Sequence, residues 1–196
     1  MFFQKKDDLQ KINNIPFFHE KIFQGKSSSI ALIIPVLNEG NRIRNQLTRL
    51  KKYSEIIDII IVDGKSSDNA LDEVFLESVE VTAILTKEEK YPEGLSTQLR
   101  IGYFWCLKKD YKSMITIDGN AKDNVKDIFK FIEKLENGFD YVQGSRYIKG
   151  GISKNTPLDR YLGTRFIHAP IMSFFSKNRF TDTTNGFRAY SSLALK

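Results

Sequence analysis

The chain has 196 residues, of which 41% are hydrophobic, and it carries a net charge of +6. This length supports one well-buried core and is short for two, so we expect a single domain. The one cysteine, Cys106, excludes an intrachain disulfide framework and a cysteine metal cluster, and it favours a reducing compartment. No apolar stretch follows the two phenylalanines near the N-terminus, so we expect no cleaved secretion signal and a cytoplasmic protein.

The excess positive charge is concentrated in the C-terminal part of the chain. From Tyr141 onward there are nine Lys/Arg against two acidic residues, whereas the first 140 residues hold twenty-one against twenty-two. The arginines of this part are scattered among turns and apolar segments, which argues against nucleic acid as a partner. Arginines placed singly at loops are suited to binding discrete phosphates.

Strands and helices are predicted to alternate after an N-terminal arm, residues 1–29, to which we assign no function. In chain order, the predicted elements are strands at 30–35, 56–62, 81–85, 114–117 and from 141, and helices capped by Asn41, by Ser67 or Asp68, and by Asp123, with a further helix at 93–107. The helix capped by Asp123 is expected to end at Asn137-Gly138. Such an alternation predicts an α/β domain with a mostly parallel sheet and helices on both faces.

Ligands of open parallel sheets bind beyond the carboxyl ends of the strands, where this chain has two polar loops. Pro35-Val36-Leu37-Asn38-Glu39 separates a strand from a helix, a place suited to holding the polar edge of a ligand. Val62-Asp63-Gly64-Lys65-Ser66-Ser67-Asp68 follows the next strand, and its Asp63 can accept a hydrogen bond from a base or a ribose. Helix capping by Asn38 and an ordinary turn are the structural alternatives.

Three further segments carry charged side chains. Asp118-Gly119-Asn120 offers two oxygen ligands from alternate residues at a strand end, which suits a hard cation, and an ordinary turn is the alternative. Gln143-Gly144-Ser145-Arg146-Tyr147 and Asn185-Gly186-Phe187-Arg188-Ala189-Tyr190 each place an arginine beside a glycine bend.

In this order and spacing, the loops resemble the family 2 glycosyltransferases with the GT-A (Rossmann-like) fold. Residues 35–39 are similar to the family's opening Pro-x-x-Asn-Glu, residues 63–68 to its nucleotide loop, and residues 118–120 to its Asp-x-Asp metal triplet. The segments around Arg146 and Arg188 are similar to one branch, the polyprenyl-phosphate (dolichyl-phosphate) mannose or glucose synthases. We place the GT-A domain at residues 30–196, and we expect it to be C-terminally incomplete because members of this branch usually continue further.

The resemblance implies an inverting transfer of a sugar from a GDP- or UDP-sugar to a polyprenyl or dolichyl phosphate, assisted by Mg²⁺ or Mn²⁺. By similarity, the donor nucleotide would be bound by Pro35, Asn38, Glu39, Asp63, Asp118, Asn120 and Arg188, and the metal by Asp118 and Asn120. The acceptor phosphate would be bound by Arg146, Arg160 and Thr164.

The predicted catalytic set is Asp118, Arg146 and Asp182. A phosphate monoester is largely dianionic at neutral pH and can attack without a general base. Asp182 is the best candidate for a base, and we expect it to order the site instead.

Three positions differ from the family pattern. Gly64 replaces the second aspartate of the nucleotide loop, Asn120 replaces the last acid of the metal triplet, and Lys122 stands where the branch often has glutamine. Asn120 keeps an oxygen ligand and loses a charge, so we expect a weaker metal site. Two other functions stay open. A transferase acting on a saccharide hydroxyl of a capsule, O-antigen or other cell-surface glycan shares every nucleotide-side motif, and a non-catalytic sugar-nucleotide-binding module is suggested by Asn120.

The longest apolar run, residues 166–175, is well short of the roughly 20 residues that a membrane-spanning helix needs. We interpret the surrounding stretch, residues 161–180, as containing a helix of the protein core. The alternative is a peripheral contact with the cytoplasmic face of a membrane.

Overall fold

The structure is a computed structural model that describes residues 15–89, 91, 94–151, 153 and 156–196. Its strands are β1 (Phe18–Ile22), β2 (Ile30–Val36), β3 (Asp58–Asp63), β4 (Ala83–Lys87), β5 (Ser113–Thr116), β6 (Tyr141–Gln143) and β7 (Arg188–Ser191). They form one seven-stranded sheet in the order β1-β4-β3-β2-β5-β7-β6. Parallel pairs join β2 to β3, β2 to β5 and β3 to β4, while β1 and β7 run antiparallel to their neighbours. The predicted mostly parallel α/β sheet is confirmed.

The helices are α1 (Asn41–Leu50), α2 (Glu73–Ser78), α3 (Leu95–Lys108), α4 (Ile128–Glu136), α5 (Leu158–Leu162) and α6 (Ala169–Ser176). Short 3₁₀ helices lie at Lys51–Tyr53 and Val125–Asp127, and a π-helix, Gly163–His168, joins α5 to α6.

The hydrophobic core lies on both faces of the sheet. Along β2, Leu32 and Ile34 belong to the core cluster that includes Leu47 of α1, whereas Ile33 belongs to the opposite cluster with Ile101 of α3. A strand buried on both faces has a continuous apolar sequence, as β2 and β3 have here. Helices therefore cover both faces, as predicted.

Two predicted helix caps are wrong. α1 begins at Asn41 itself, with Gly40 in the cap position and no side-chain cap. α2 begins later than predicted, and it is Asp72 whose carboxylate accepts a hydrogen bond from the Phe75 amide. Ser67 and Asp68 do not cap α2 because they belong to the preceding loop, where the Ser67 amide donates to Asn38 and the Asp68 carboxylate accepts from the Gly40 amide.

The cap predicted at Asp123 is also wrong. Its neighbour Asn124 accepts a hydrogen bond from the Lys126 amide at the start of the 3₁₀ turn, and α4 follows. The predicted end of this helix is confirmed, because Asn137 is the C-cap and Gly138 has a φ of +85°. Glu93, the predicted first residue of α3, lies outside the described residues.

Two strands were not predicted. β1 lies within the segment set apart as an arm, and it pairs with β4 from Phe18 opposite Lys87 to Ile22 opposite Ala83. The Trp105 indole of α3 donates a hydrogen bond of 2.5 Å to the Glu20 carboxylate, which fastens β1 to the helix layer. β7 runs through the second arginine segment and lies between β5 and β6.

The prediction of a core helix at residues 161–180 is wrong. Phe166, Phe174 and Phe175 are 66%, 79% and 78% exposed. Among the described residues, no helix is long and apolar enough to cross a bilayer.

The close packing of α3 on the sheet generates a stability prediction at Gly102. A Cβ atom there would lie 2.7 Å from Ile33 Cγ2 and 3.1 Å from Val62 Cγ2. We expect Gly102→Ala to lower the free energy of unfolding by about 1–3 kcal/mol, because the core must shift to admit the methyl group. Urea denaturation measures this free energy.

Gly163→Ala is the matched control, since no described atom outside its own helix and chain neighbours lies within 4 Å of a Cβ at that helical position. Alanine there should be neutral or stabilising by up to about 1 kcal/mol. Equal effects of the two substitutions would contradict the packing argument.

Candidate functional site

The polar loops gather at one edge of the sheet because their strands are parallel. Residues 35–39 span the end of β2, residues 63–68 the end of β3, and Asp118 comes two residues after β5. β2 pairs with both β3 and β5, so its loop is central. The edge is therefore a continuous polar surface, as the sequence predicted.

Asn38 joins the loop after β2 to the loop after β3. Its amide N–H donates to Ser66 Oγ at 3.1 Å, and its side-chain oxygen accepts from the Ser67 amide at 2.8 Å. Asn38 has a φ of +53°, a left-handed conformation that asparagine tolerates. Asp63 accepts from the Ser66 amide at 2.8 Å and is only 7% exposed.

The next contacts continue this connection. The Gly40 amide donates to Asp68 Oδ2 at 2.7 Å, so Asp68 holds the start of α1 instead of capping α2. Glu39 forms an ion pair with Arg42, with 2.9 Å between Oε2 and Nη2. The two loops are thus held together by Asn38, which was predicted to bind the donor, and by Asp68, which was not.

Two buried glutamines, which the sequence analysis missed, position the same edge. Gln98 Nε2 of α3 donates to the carbonyl oxygens of Val36 and Val62, both at 2.8 Å. Gln46 Nε2 of α1 donates to the Asp118 carbonyl at 3.0 Å, and its Oε1 accepts from the Ala121 amide at 2.8 Å. Only their place among the buried residues of α1 and α3 could have indicated them.

Asp118 lies against Gly186 in the loop that precedes β7. A Cβ at Gly186 would be 2.5 Å from Asp118 Oδ1, so the carboxylate occupies space that only glycine leaves open. Burial raises the pKa of Asp118, and the positive charges of Lys122, Arg188 and Arg146 oppose the rise. Asp118 is therefore a carboxylate within reach of three cationic side chains.

Asp123 is a second carboxylate at this place, and the sequence analysis assigned it only to a cap. Burial raises the pKa of Asp123 to about 6, and the charge of Asp118 adds to the rise. Two neighbouring carboxylates in a partly buried place attract a cation.

Asn120 lies in a tight turn beside these acids. Its Oδ1 accepts a hydrogen bond of 3.1 Å from the Lys122 amide, and Ala121 has a φ of +59°. In the described part of the chain, no group of three His, Cys, Asp or Glu side chains is arranged to hold a metal. In the loop after β5, side-chain oxygens of Asp118, Asn120 and Asp123 are candidate ligands for a cation.

Arg146 is held by a two-point ion pair with Asp182. The distances are 2.7 Å from Nε to Oδ2 and 3.0 Å from Nη2 to Oδ1, and Nη2 also donates to Thr184 Oγ1 at 2.6 Å. Asp182 is fully buried. Although burial alone would raise the pKa of Asp182, its hydrogen bonds from Arg146 outweigh that effect and the pKa is lowered.

Arg188, the first residue of β7, is fixed by the backbone around it. Its Nε donates to the Asn185 carbonyl at 2.9 Å and its Nη2 to the Thr183 carbonyl at 3.1 Å. Because β7 pairs with β5, Arg188 lies opposite Thr116, two residues before Asp118. The charges of Arg188 and Arg146 both act on the Asp118 carboxylate, although their guanidinium groups donate to other oxygens.

Arg160 and Thr164 are placed differently from each other. Arg160 is exposed on α5, whereas Thr164 is 2% exposed within the π-helix. Tyr161, between them, packs edge-on against Tyr147 with 5.2 Å between ring centroids. This contact connects the helix to the Arg146 loop. The described hydrogen bonds of the Arg146 guanidinium go to Asp182 and Thr184, and neither Arg160 nor Thr164 is among these partners.

A cavity of about 360 Å³ lies beside Asp63. It is lined by Asp63, Ser66 and Asp68 from the loop after β3, by Thr86 of β4, and by His19 of β1, among others. Its volume is within the range of small-molecule pockets. The unpredicted strand β1 therefore contributes one wall.

Comparison with known proteins identifies relatives of the chain. A family model described as Glycosyl transferase family 2 matches residues 31–196. The chain is 25% identical over 162 residues to polyprenol monophosphomannose synthase of Mycolicibacterium smegmatis, covering 81% of this chain and 60% of that protein. It is 25% identical over 169 residues to undecaprenyl-phosphate mannosyltransferase of Micrococcus luteus, covering 85% and 68%.

A third relative is more similar. The chain is 32% identical over 189 residues to UDP-N-acetylglucosamine–dolichyl-phosphate N-acetylglucosaminyltransferase of Methanococcus voltae, covering 85% of this chain and 71% of that protein. The chain thus spans between 60% and 71% of the length of these three relatives.

Solved structures with the same fold include glucosyl-3-phosphoglycerate synthase from Mycobacterium tuberculosis in complex with Mn²⁺, uridine diphosphate and glucosyl-3-phosphoglycerate. The TM-score is 0.59 at 15% identity, over 84% of this chain and 57% of that one. This likeness confirms the predicted GT-A fold. Because the family model extends over most of the chain and includes every polar loop of the sheet edge, the chain belongs to glycosyl transferase family 2.

Proposed function

We propose that this protein transfers a sugar from a nucleoside diphosphate sugar to a polyprenyl phosphate, with inversion at the anomeric carbon and assistance from a divalent cation. The observation that carries the proposal is the packing of the Asp118 carboxylate against Gly186, two residues before Arg188, where the positive charges of Arg188 and Arg146 act on it. A donor diphosphate and an acceptor phosphate both need cationic neighbours at the same place. The three relatives described above are named for polyprenol, undecaprenyl-phosphate and dolichyl-phosphate.

On the donor side, the cavity beside Asp63 suits a nucleoside. Asp63 offers a carboxylate that can accept from a base or ribose, and Pro35 and Glu39 lie in the adjoining loop. Asn38 contributes by holding the two loops together. The diphosphate would extend from this cavity across β2 to Asp118, since β2 lies between β3 and β5.

The residues beyond β5 fit a divalent cation. Mg²⁺ and Mn²⁺ prefer oxygen ligands, and one or two carboxylates with substrate phosphates commonly suffice for Mg²⁺. Asp118 and Asn120 would hold the ion, with Asp123 adding a second negative charge beside Asp118. When bound, it neutralises the charge that develops on the leaving diphosphate. Lys122 brings a further positive charge to Asp118.

The chemical step is a single displacement. A phosphate oxygen of the acceptor attacks the anomeric carbon, the bond from that carbon to the diphosphate oxygen breaks, and the nucleoside diphosphate leaves with the electron pair. The dianionic acceptor supplies its own nucleophile, so no side chain need remove a proton. Arg146 would bind the acceptor phosphate together with Arg160. Thr164, which was predicted to join them, is 2% exposed, so in this proposal it packs the π-helix that follows Arg160 against the protein.

Asp182 is suited to positioning Arg146 and poorly suited to acting as a base. Its carboxylate is fully buried, and both oxygens accept hydrogen bonds from Arg146. Its lowered pKa means that the charged form is already stabilised at neutral pH. In a two-point ion pair, the carboxylate fixes the plane of the guanidinium.

The decisive experiment incubates the protein with UDP- or GDP-sugars, Mn²⁺ and a short prenyl phosphate. We expect a prenyl-phosphate sugar as product and release of the nucleoside diphosphate. Transfer to saccharide hydroxyls alone would replace the proposed acceptor. Donor binding without any transfer would support a non-catalytic module instead.

The second prediction concerns the paired carboxylates. We expect Asp118→Asn to weaken Mn²⁺ binding by at least about tenfold and to reduce turnover, because the principal anionic ligand is lost. Titration calorimetry measures the binding without relying on activity. Unchanged metal affinity and rate in this variant would refute the assignment of Asp118.

Asp123→Asn tests the same pair through stability. Because the folded protein holds the Asp123 proton up to a pKa of about 6, above the ordinary 3.8, it loses stability as pH rises from about 4 through 6. The full pKa shift of Asp123 corresponds to at most about 3 kcal/mol of unfolding free energy, and screening by solvent leaves roughly 1–2 kcal/mol of it. In metal-free buffer at pH 7.5, the variant should be more stable by that amount, and the difference should vanish near pH 4. A pH-independent difference would contradict the coupling.

The next prediction separates acceptor binding from donor binding. We expect Arg146→Lys to raise the KM for prenyl phosphate by about tenfold and to leave the KM for the sugar nucleotide nearly unchanged. Lysine keeps the positive charge but cannot bind a phosphate through two parallel N–H groups, as a guanidinium does. Lys149→Gln, an exposed cation three residues away, is the control.

Asp182→Asn completes this test. A positioning role predicts a raised acceptor KM and an unchanged shape of the pH–rate profile. Loss of kcat by about 10²–10⁴-fold together with loss of an acidic limb would identify a general base instead.

A further inference from the structure

Three polar side chains form a row across one face of the sheet, at the cavity beside Asp63. In the strand register, Asp63 of β3 lies opposite Thr86 of β4, and Thr86 lies opposite His19 of β1. Neighbouring strands are about 4.8 Å apart, so the three residues span roughly 10 Å. All three line the cavity of about 360 Å³. Backbone pairing therefore fixes the order in which a ligand in this cavity would meet them.

The alternation of side chains along β1 explains why His19 faces the cavity. Phe18 packs against the core cluster that includes Trp105 of α3, and the Glu20 carboxylate accepts a hydrogen bond from the Trp105 indole. Successive residues of a strand point to opposite faces of the sheet. His19, which lies between them, is therefore turned to the face where the cavity lies.

Each member of the row has a polar atom available to a ligand. Asp63 is only 7% exposed, and its described hydrogen bond, from the Ser66 amide, uses Oδ1. Within the described part of the chain, Asp63 Oδ2, the Thr86 hydroxyl and the His19 ring have no hydrogen-bond partner. A nearly buried carboxylate oxygen without a partner is costly, so a ligand that donates a hydrogen bond to it would be favoured.

The order of these groups can be compared with the edges of the nucleobases. A carboxylate only accepts hydrogen bonds, so Asp63 requires a ring N–H from the base. Guanine and uracil have such an N–H beside a carbonyl oxygen, whereas adenine and cytosine have an unprotonated ring nitrogen there. The Thr86 hydroxyl can donate to the carbonyl oxygen. Asp63 and Thr86 together therefore favour guanine or uracil.

His19 distinguishes between these two bases. Beyond its carbonyl oxygen, guanine has the hydrogen-bond acceptor N7, whereas uracil has a C–H group. A histidine ring N–H can donate to N7. Hydrogen bonds point outward from the edge of a ring, so partners about 5 Å apart can reach adjacent groups of one base. Asp63, Thr86 and His19 therefore complement N1–H, O6 and N7 of guanine, in that order.

We propose that His19 is a specificity-determining residue that recognises N7 of guanine, so that the sugar donor is a GDP-sugar. The inference rests on the proposed function, because it assigns the base of the donor in that transfer. The match to the family model begins at residue 31, and β1 therefore lies outside it. Selection between guanine and uracil thus depends on a strand that the matched segment does not contain.

The test is titration calorimetry with GDP, UDP and 7-deaza-GDP, in which a C–H group replaces N7, with Mn²⁺ present throughout. We expect GDP to bind at least about tenfold more tightly than UDP. 7-deaza-GDP should bind about three- to tenfold more weakly than GDP, because it loses one hydrogen bond. His19→Ala should weaken GDP binding by the same factor and leave the affinities for UDP and 7-deaza-GDP unchanged.

Two further variants serve as controls. His168→Ala removes the other histidine of the chain, which is exposed on the π-helix, and it should bind all the nucleotides as the unaltered protein does. His19→Gln keeps a side-chain N–H and should retain most of the affinity for GDP. Unchanged UDP binding by His19→Ala would also show that this variant is folded.

Equal affinities of the unaltered protein for GDP and 7-deaza-GDP would overturn the proposal, as would tighter binding of UDP than of GDP. An equal loss of affinity for all the nucleotides in His19→Ala would indicate a structural role and would also overturn it. Failure of the proposed function has a different result. A GDP preference that depends on His19, without sugar transfer, would contradict the proposed transfer alone, whereas efficient transfer from a UDP-sugar would contradict this inference alone.

Discussion

Two buried glutamines determine the geometry of the sheet edge on which every other part of the site depends. Parallel strands that end together leave backbone carbonyls without ladder partners, and a buried carbonyl without a hydrogen bond is costly. Gln98 donates to the carbonyls of Val36 and Val62, and Gln46 donates to that of Asp118. The Val36 carbonyl also accepts from the Gly64 amide at 2.8 Å, so the side chain adds a second bond there. The helices on opposite faces of the sheet are thereby fastened to the same edge. The loops that follow can be irregular because their starting points are fixed.

The electrostatic balance of the edge follows from this placement. Burial raises the pKa of Asp123 to about 6, and the negative charge of Asp118 adds to the rise. Arg146 and Arg188 bring positive charge from loops that are far away in sequence, and each is itself held by carboxylate or carbonyl oxygens. The site therefore contains guanidinium groups that would attract an anionic substrate beside the carboxylates. Its guanidinium groups are oriented before a ligand arrives, so little entropy is lost on binding.

The sequence predicted those features that depend on long apolar runs. The central strands are buried on both faces, so their composition alone identified them, and their carboxyl ends located Asp63 and Asp118. β1 escaped prediction because most of its residues are exposed and its order comes from pairing with β4. Asp123 escaped because an acid before a helix has the pattern of a cap, and only the fold shows that Asp118 is its neighbour.

The helical stretch from Leu158 to Ser176 shows why an apolar run does not determine its own environment. An apolar sequence predicts that its side chains avoid water, but it does not predict what covers them. The side of this stretch that faces the protein is a narrow stripe of Thr164, Ala169 and Ser173, whose small side chains allow a close approach. In a regular α-helix, residues five apart diverge around the axis, so the stripe is invisible to a search at helical period. The π-helical turn at Gly163–His168 brings Thr164 and Ala169 into line, and this turns the large side chains outward together. The same turn that hides the pattern in the sequence therefore creates the apolar surface next to the Arg146 loop.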